Sequence, residues 1–109
     1  MNEHDKNIVG KIIKYSMQAV QFKGGMDFAE FSGDVKTISA CVFSLSQVGE
    51  LIGRLSGEFI ESNSNIEWHK IKGLRNKIVH DYEGVRLKIV WVVLTESLPE
   101  LIENLGKLN

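Results

Sequence analysis

Apolar residues in the last quarter of the chain recur at alternating steps of four and three: Leu87, Trp91, Leu94, Leu98, Leu101, Leu105 and Leu108. That spacing draws one continuous stripe along an α-helix and would scatter over both faces of a strand, whose side chains alternate with a period of two. The stripe passes without a change of phase through Pro99, the only proline in 109 residues. A break and restart at proline usually loses phase, so the pattern predicts one long helix from near Val85, kinked at Pro99. The rival arrangement has Ser97 capping a new helix with Pro99 in its first turn. Ile89 to Leu94 in isolation could pass for a strand, but it lies inside the heptad and has no partner strand.

The same period places three more helices. Ile8, Ile12, Tyr15, Ala19 and Phe22 mark one face of a first helix, and Gly24-Gly25 supplies its stop. A short element follows around Asp27 to Phe31, with Phe28 and Phe31 tucked against the bundle and Ser32-Gly33 ending it. A second long helix runs from about Asp34 to Leu55 on Ile38, Val42, Leu45, Val48, Ile52 and Leu55, the stripe widened by Cys41 and Leu51. Gly49 and Gly53 lie inside it one turn apart; each costs roughly 1 kcal/mol relative to alanine, and such a pair marks either close helix approach or a tolerated weakness. Ser56-Gly57 ends this helix, and residues 61–65 form a polar loop. Ser64 and Glu67 have capping-box spacing, which starts a third helix near Ile66 with Trp68, Ile71, Leu74 and Ile78 on its apolar side. The expected architecture is a single all-α domain over residues 1–109, an up-and-down bundle of four long helices plus a short one. Sandwiches and barrels need more turn signals than this chain has.

Composition narrows the function classes. Thirteen Lys+Arg against fourteen Asp+Glu give −1, which excludes a generally basic nucleic-acid coat. From Glu67 to Val90, however, Lys70, Lys72, Arg75, Lys77, Arg86 and Lys88 face only Glu67, Asp81 and Glu83, so this stretch is +3 and the remainder −4. A solvated helix face or a phosphate-binding face would both produce it. The lone Cys41 cannot form an intrachain disulfide and lies in an apolar helical pattern, as a small core residue does. The polar N-terminus lacks the apolar run of a signal peptide, and the longest apolar run, Ile89 to Leu94, is too short to cross a bilayer. The expectation is a soluble cytoplasmic protein without membrane attachment. No P-loop, GxGxxG or zinc-ligand spacing is present, so no cofactor and no metal are expected. His4 and His69 read as surface or partly packed residues.

The densest polar constellation is residues 75–82, Arg-Asn-Lys-Ile-Val-His-Asp-Tyr. On a continuous helix Asn76 and His80 share a face one turn apart, whereas Arg75 and His80 point about 140° apart. Unwinding at His80, or a long arginine reaching around, would bring both to one phosphate. In the structural alternative His80 favours the helix C-terminus electrostatically and Arg75 pairs with Asp81 or Glu83.

Arg75, His80 and Tyr82 fit the Arg-x4-His-x-Tyr motif of the HepT-like toxins, a branch of the HEPN helical superfamily. Around it the chain resembles that family at Val48-Gly49-Glu50, Arg54-Leu55-Ser56, Trp68, Ile71 to Tyr82, Gly84-Val85, Ile89-Val90-Trp91 and Thr95 to Leu101. Two positions depart from the family pattern: Ser44 and Ser46 stand where the second helix usually carries Asn and Glu, and Glu67 stands where a proline often precedes the tryptophan.

The resemblance implies a metal-independent endoribonuclease, the toxin of a type II/VII-like pair whose antitoxin is a small nucleotidyltransferase. RNA carries its own nucleophile, the 2′-OH, so the protein need only move protons and stabilise the crowded phosphate. His80 would be the general acid/base, an imidazole's ordinary pKa of about 6.5 suiting both roles. Arg75 would hold the phosphate bidentately, Asn76 and Asp81 would support them, and Lys72 and Lys77 would contact RNA phosphates. One histidine per chain supplies only one of the two proton-transfer groups, and the resemblance implies a twofold homodimer that brings two motifs together. Tyr82 either packs beneath the loop or, as the resemblance implies, is modified with AMP by the antitoxin. The alternative function is a non-catalytic helical module that binds a nucleotidyltransferase and is modified by it.

Overall fold

The computed structural model describes residues 1–73 and 87–108. Among them every regular element is helical and there is no strand, the all-α architecture that the apolar spacing predicts. α1 (Glu3–Lys23) starts where the Asp5 N–H donates to Asn2 Oδ1 at 2.7 Å and ends at Gly24, whose φ of 53° a residue with a Cβ rarely adopts. α2 (Phe28–Ser32) is a short helix opened by a complete capping box: Glu30 N–H donates to Asp27 Oδ1 at 2.8 Å, and Asp27 N–H donates to Glu30 Oε1 at 3.1 Å. α3 (Val35–Ile52) begins at Asp34, whose carboxylate accepts the Thr37 N–H at 3.0 Å, a bond that holds this carboxyl below its usual pKa.

α1 and α3 pack antiparallel. Along α1 the residue number falls as it rises along α3 and the turn beyond it: Cys41 Sγ donates to the Ala19 carbonyl at 3.5 Å, Ser44 Oγ to Gln18 Oε1 at 3.1 Å, and His4 Nε2 to the Arg54 carbonyl at 3.0 Å. By length and composition α3 is apolar enough to cross a bilayer. Here Ile38, Cys41, Leu45, Val48, Leu51 and Ile52 line the core. Val9, Ile12 and Ala19 of α1 meet them with no exposed surface. Phe22, expected on the same stripe, is 42% exposed, and Ser16, between Ile12 and Ala19, is fully buried.

Three boundaries differ from the sequence reading. α3 ends at Ile52, so Gly53 is a C-terminal cap rather than an interior residue. The segment read as the end of that helix and the start of a polar loop contains a second short helix, α4 (Gly57–Ser62). Ser56 creates it by capping: Phe59 N–H donates to Ser56 Oγ at 3.2 Å, and Phe59 is buried beneath. α5 (68–73) begins at Trp68, not Ile66. The turn before it is held by the Asn63 carbonyl, which accepts both the Ile66 N–H at 3.1 Å and the Trp68 indole N–H at 3.1 Å. Ser64 and Glu67 therefore precede the helix and form no capping box for it.

The last arm is α6 (Leu87–Val92), a π-helical turn over Val93–Ser97, and α7 (Leu98–Gly106). Its direction is continuous, since Val92, Ser97 and Leu98 all have α-helical backbone angles and Ser97 makes no side-chain cap bond. The one-long-helix reading holds, and the device at Pro99 is a π-turn. Proline has no N–H, and its ring presses on the carbonyl four residues back. Widening the turn lets the Leu98 N–H reach the Val93 carbonyl, five residues back, while Thr95 Oγ1 donates to the Trp91 carbonyl at 2.9 Å. Val90, Val93, Leu94, Leu98, Leu101 and Leu105 remain buried, whereas Leu108 is 39% exposed at the end of the stripe.

Asp5 ties the ends together. It is 2% exposed, yet its carboxylate accepts the Ser56 N–H at 2.9 Å and the Ser56 hydroxyl at 2.6 Å. The Ser56 side chain, followed by its backbone N–H, holds the Asp5 carboxyl below its ordinary pKa. A depressed carboxylate contributes stability above the unfolded pKa of about 3.9 and loses it as pH falls through the folded value. Asp5→Asn is expected to lower the thermal midpoint at pH 7. The gap to the unsubstituted chain should close as pH drops below about 4, which thermal melts followed by circular dichroism across pH would measure.

Candidate functional site

Arg75, Asn76, Lys77, His80, Asp81 and Tyr82 lie outside the described residues. The described elements before and after them in sequence, α5 and α6, are each fixed to the bundle by a tryptophan. On α5, Trp68 is 5% exposed, its ring 6.1 Å from that of Phe59, and Ile71 is buried on the same side. On α6, Trp91 packs edge-on against Phe28, with centroids 5.6 Å apart at 64°, and against Phe31 at 5.3 Å and 45°. Phe28 and Phe31 thus tuck against the bundle as the sequence predicts, and the surface they meet is Trp91.

With Trp68 and Ile71 turned inward, the outward side of α5 carries His69, Lys70 and Lys72, all exposed. Lys72 lies across the end of α3: a Cβ placed on Gly53 would be 3.7 Å from Lys72 Cε and 3.8 Å from Nζ. Its ammonium is therefore beside the C-terminal turn of α3, where the helix dipole favours a cation. The neighbour at Gly53 is this side chain rather than another helix backbone.

A groove of about 400 Å³ opens between α5 and α6. Ile89, Val92 and Val93 form its apolar wall, and His69, Lys70 and Lys88 supply its polar atoms together with Gly73. A smaller hollow of about 100 Å³ beside α5 carries Glu67, Glu96 and Glu100, and Lys70 lines it as well. Lys70 stands between the two, lining both. Lys23, which no motif in the sequence singles out, joins these cations through space: its Nζ lies 5.1 Å from the Trp91 ring centroid. Only the fold brings α1 to α6 here; nothing in the spacing of Lys23 signals it.

The departures from the family pattern have a local explanation. Ser44 is fully buried and gives its hydroxyl proton to Gln18 of α1, while Ser46 Oγ donates back to the Val42 carbonyl at 2.9 Å. Both hydroxyl protons are engaged within the α1–α3 pair. Cys41 is a core residue, as expected, and burial pushes its thiol up to about 11. It is protonated at neutral pH and is no nucleophile. Among the described residues no group of three or more His, Cys, Asp or Glu could hold a metal ion.

Comparison with known proteins converges on one family. A family model described as ribonuclease HepT-like matches residues 12–108. A candidate RNase of Caldanaerobacter subterraneus is 38% identical over 77 residues, covering 71% of this chain and 69% of its own. A candidate RNase of Methanocaldococcus jannaschii is 29% identical over 97 residues, 89% of this chain and 80% of its own. A candidate ribonuclease HepT of Thermococcus cleftensis is 28% identical over 89 residues, 82% of this chain and 81% of its own. No solved structure matches the chain.

The aromatic seat of α6 predicts where stability is concentrated. Phe31 has no exposed surface, and Phe31→Ala should cost about 3–5 kcal/mol in urea unfolding. Phe43, 56% exposed on α3, should cost less than about 0.5 kcal/mol on the same substitution.

Proposed function

The chain belongs to the HepT-like ribonuclease family, and from that premise we propose that it is a metal-independent endoribonuclease toxin acting in the cytoplasm. The observation that carries this reading is the family match over residues 12–108, which contains the intact Arg75-x4-His80-x-Tyr82 string. The names of the relatives, RNase in each case, support it.

In this mechanism the RNA 2′-oxygen attacks its own phosphorus, the P–O5′ bond breaks, and a 2′,3′-cyclic phosphate is left. One His80 takes the 2′-OH proton, and a second protonates the departing 5′-oxygen. Two such groups around one cleft require two copies of the motif, hence a twofold homodimer. Arg75 holds the phosphate oxygens with two parallel N–H bonds as charge builds on them. Asn76 and Asp81 orient these groups, and Lys72 and Lys77 add phosphate contacts. Neutralisation comes from a small nucleotidyltransferase antitoxin that binds the toxin and transfers AMP to Tyr82. A phosphate and a base placed beside Arg75 and His80 would compete with RNA for the arginine and fill the cleft.

Cleavage of labelled RNA in the presence of a chelator tests the reading. His80→Ala is expected to slow it by about 100- to 10,000-fold and Arg75→Ala by about 100- to 1,000-fold, with folding intact by circular dichroism. Undiminished cleavage by both variants would remove the proposed chemistry and favour the non-catalytic module; cleavage by a protein that sediments as a monomer would remove the two-histidine arrangement. Tyr82→Phe should still cleave RNA and should resist silencing by the nucleotidyltransferase. Complete silencing of that variant would assign neutralisation to binding alone.

A further inference from the structure

Three cations and two half-buried aromatic rings near α5 and α6 form a path that the proposed cleavage chemistry does not use. It begins in the groove between α5 and α6, where Ile89, Val92 and Val93 present an apolar wall and His69 and Lys70 stand on the α5 side. Among the described residues no carboxylate lines this groove. Lys88 lines the groove too, and its Nζ lies 5.9 Å from the Phe28 ring centroid. Phe28 meets Trp91 edge-on, and Lys23 Nζ lies over the Trp91 ring. Groove, Lys88, Phe28, Trp91 and Lys23 are therefore contiguous, with a lysine at each end of the Phe28–Trp91 ring pair.

We propose that this path binds single-stranded RNA flanking the cleaved phosphate, with a nucleobase on the apolar wall of the groove and the backbone phosphates over Lys70, Lys88 and Lys23. The inference rests on the ribonuclease reading and adds to it a substrate-binding surface of described residues. Cations beside apolar and aromatic surface match a single strand, whose bases are free to meet that surface while its phosphates meet ammonium groups. A duplex hides its base faces inside the stack and offers only phosphate and groove edges. The position along the chain fits as well: Gly73, at the end of the groove, stands two residues before Arg75 in sequence. The hollow with Glu67, Glu96 and Glu100 repels a polyanion, and Lys70, which lines both, stands where that hollow meets the groove.

The test is binding of a labelled single-stranded RNA oligonucleotide to the full chain carrying His80→Ala, which prevents cleavage, by fluorescence anisotropy over a range of salt. Each phosphate contact on a single strand contributes about 0.7 to the slope of log K against log salt. Adding Lys23→Gln and Lys88→Gln together should lower that slope by about 1.4 and weaken binding at every salt concentration. Lys11→Gln with Lys107→Gln, two lysines elsewhere on the bundle, should leave the slope unchanged. An unchanged slope in the Lys23/Lys88 variant overturns the path while leaving the ribonuclease reading intact. So does a variant that keeps RNA affinity but loses the nucleotidyltransferase, which would assign the surface to a protein partner. Absence of RNA binding and of cleavage by the unsubstituted chain overturns the ribonuclease reading and the path with it.

Discussion

The antiparallel seating of α1 on α3 is the contact from which the other elements take their positions. Burial of their facing stripes supplies the energy, but apolar stripes slide easily, and polar contacts set the register. Ser44 on Gln18 pins the middle. Asp5 on Ser56 pins the end, because a buried carboxylate without donors is costly and only this register gives it two. Ser56 transmits the constraint, since the same hydroxyl that donates to Asp5 accepts the Phe59 N–H in the first turn of α4. α4 seats Phe59, Phe59 meets Trp68, and Trp68 starts α5. The element that leads into the Arg75–Tyr82 segment is thus placed through a chain of contacts that begins at residue 5.

The other flank is placed independently. α6 is held by Trp91 against α2, and α2 is oriented by the capping box at Asp27. Beyond it the chain must pass Pro99 without losing the burial of Leu98, Leu101 and Leu105. An unmodified α-helix would set the proline ring against the Thr95 carbonyl. The π-turn relieves this with one wider turn, and Thr95 turns its own hydroxyl back onto the Trp91 and Val92 carbonyls. The apolar stripe survives because the helix is locally re-wound rather than broken.

These two cases show what a sequence discloses and what it conceals. The stripes of α1, α3 and α7 were legible because periodic burial is written one residue at a time. The π-turn was legible only as continuity of phase; that the turn widens depends on which carbonyl the Leu98 N–H can reach. α4 was concealed because Ser56-Gly57 reads equally well as a stop and as a start, and the choice is made by Asp5, 51 positions away. The Ser64–Glu67 pair misled because Asn63 uses its carbonyl to hold the Trp68 indole, which delays the helix. For the candidate site, the string from Arg75 to Tyr82 identified the family without any structure. Lys23 escaped notice because its relation to Trp91 exists only after α1 and α6 have packed.

Charge illustrates the same limit from the opposite direction. A total of −1 argues against a nucleic-acid coat, and it says nothing about a surface on which the signs are separated. The +3 stretch from residue 67 to 90 already showed that the sum was hiding a partition along the sequence. The fold makes a second, partial separation, with Lys70 and Lys88 at one groove and Glu67, Glu96 and Glu100 at a hollow that shares Lys70 with it. Separation of this kind lets a small acidic protein attract a polyanion to one side without becoming a general binder of polyanions. Field lines converge where cations cluster over a low-dielectric wall, and Ile89, Val92 and Val93 provide that wall. An even mixture of the same charges would leave the composition unchanged and remove the attraction.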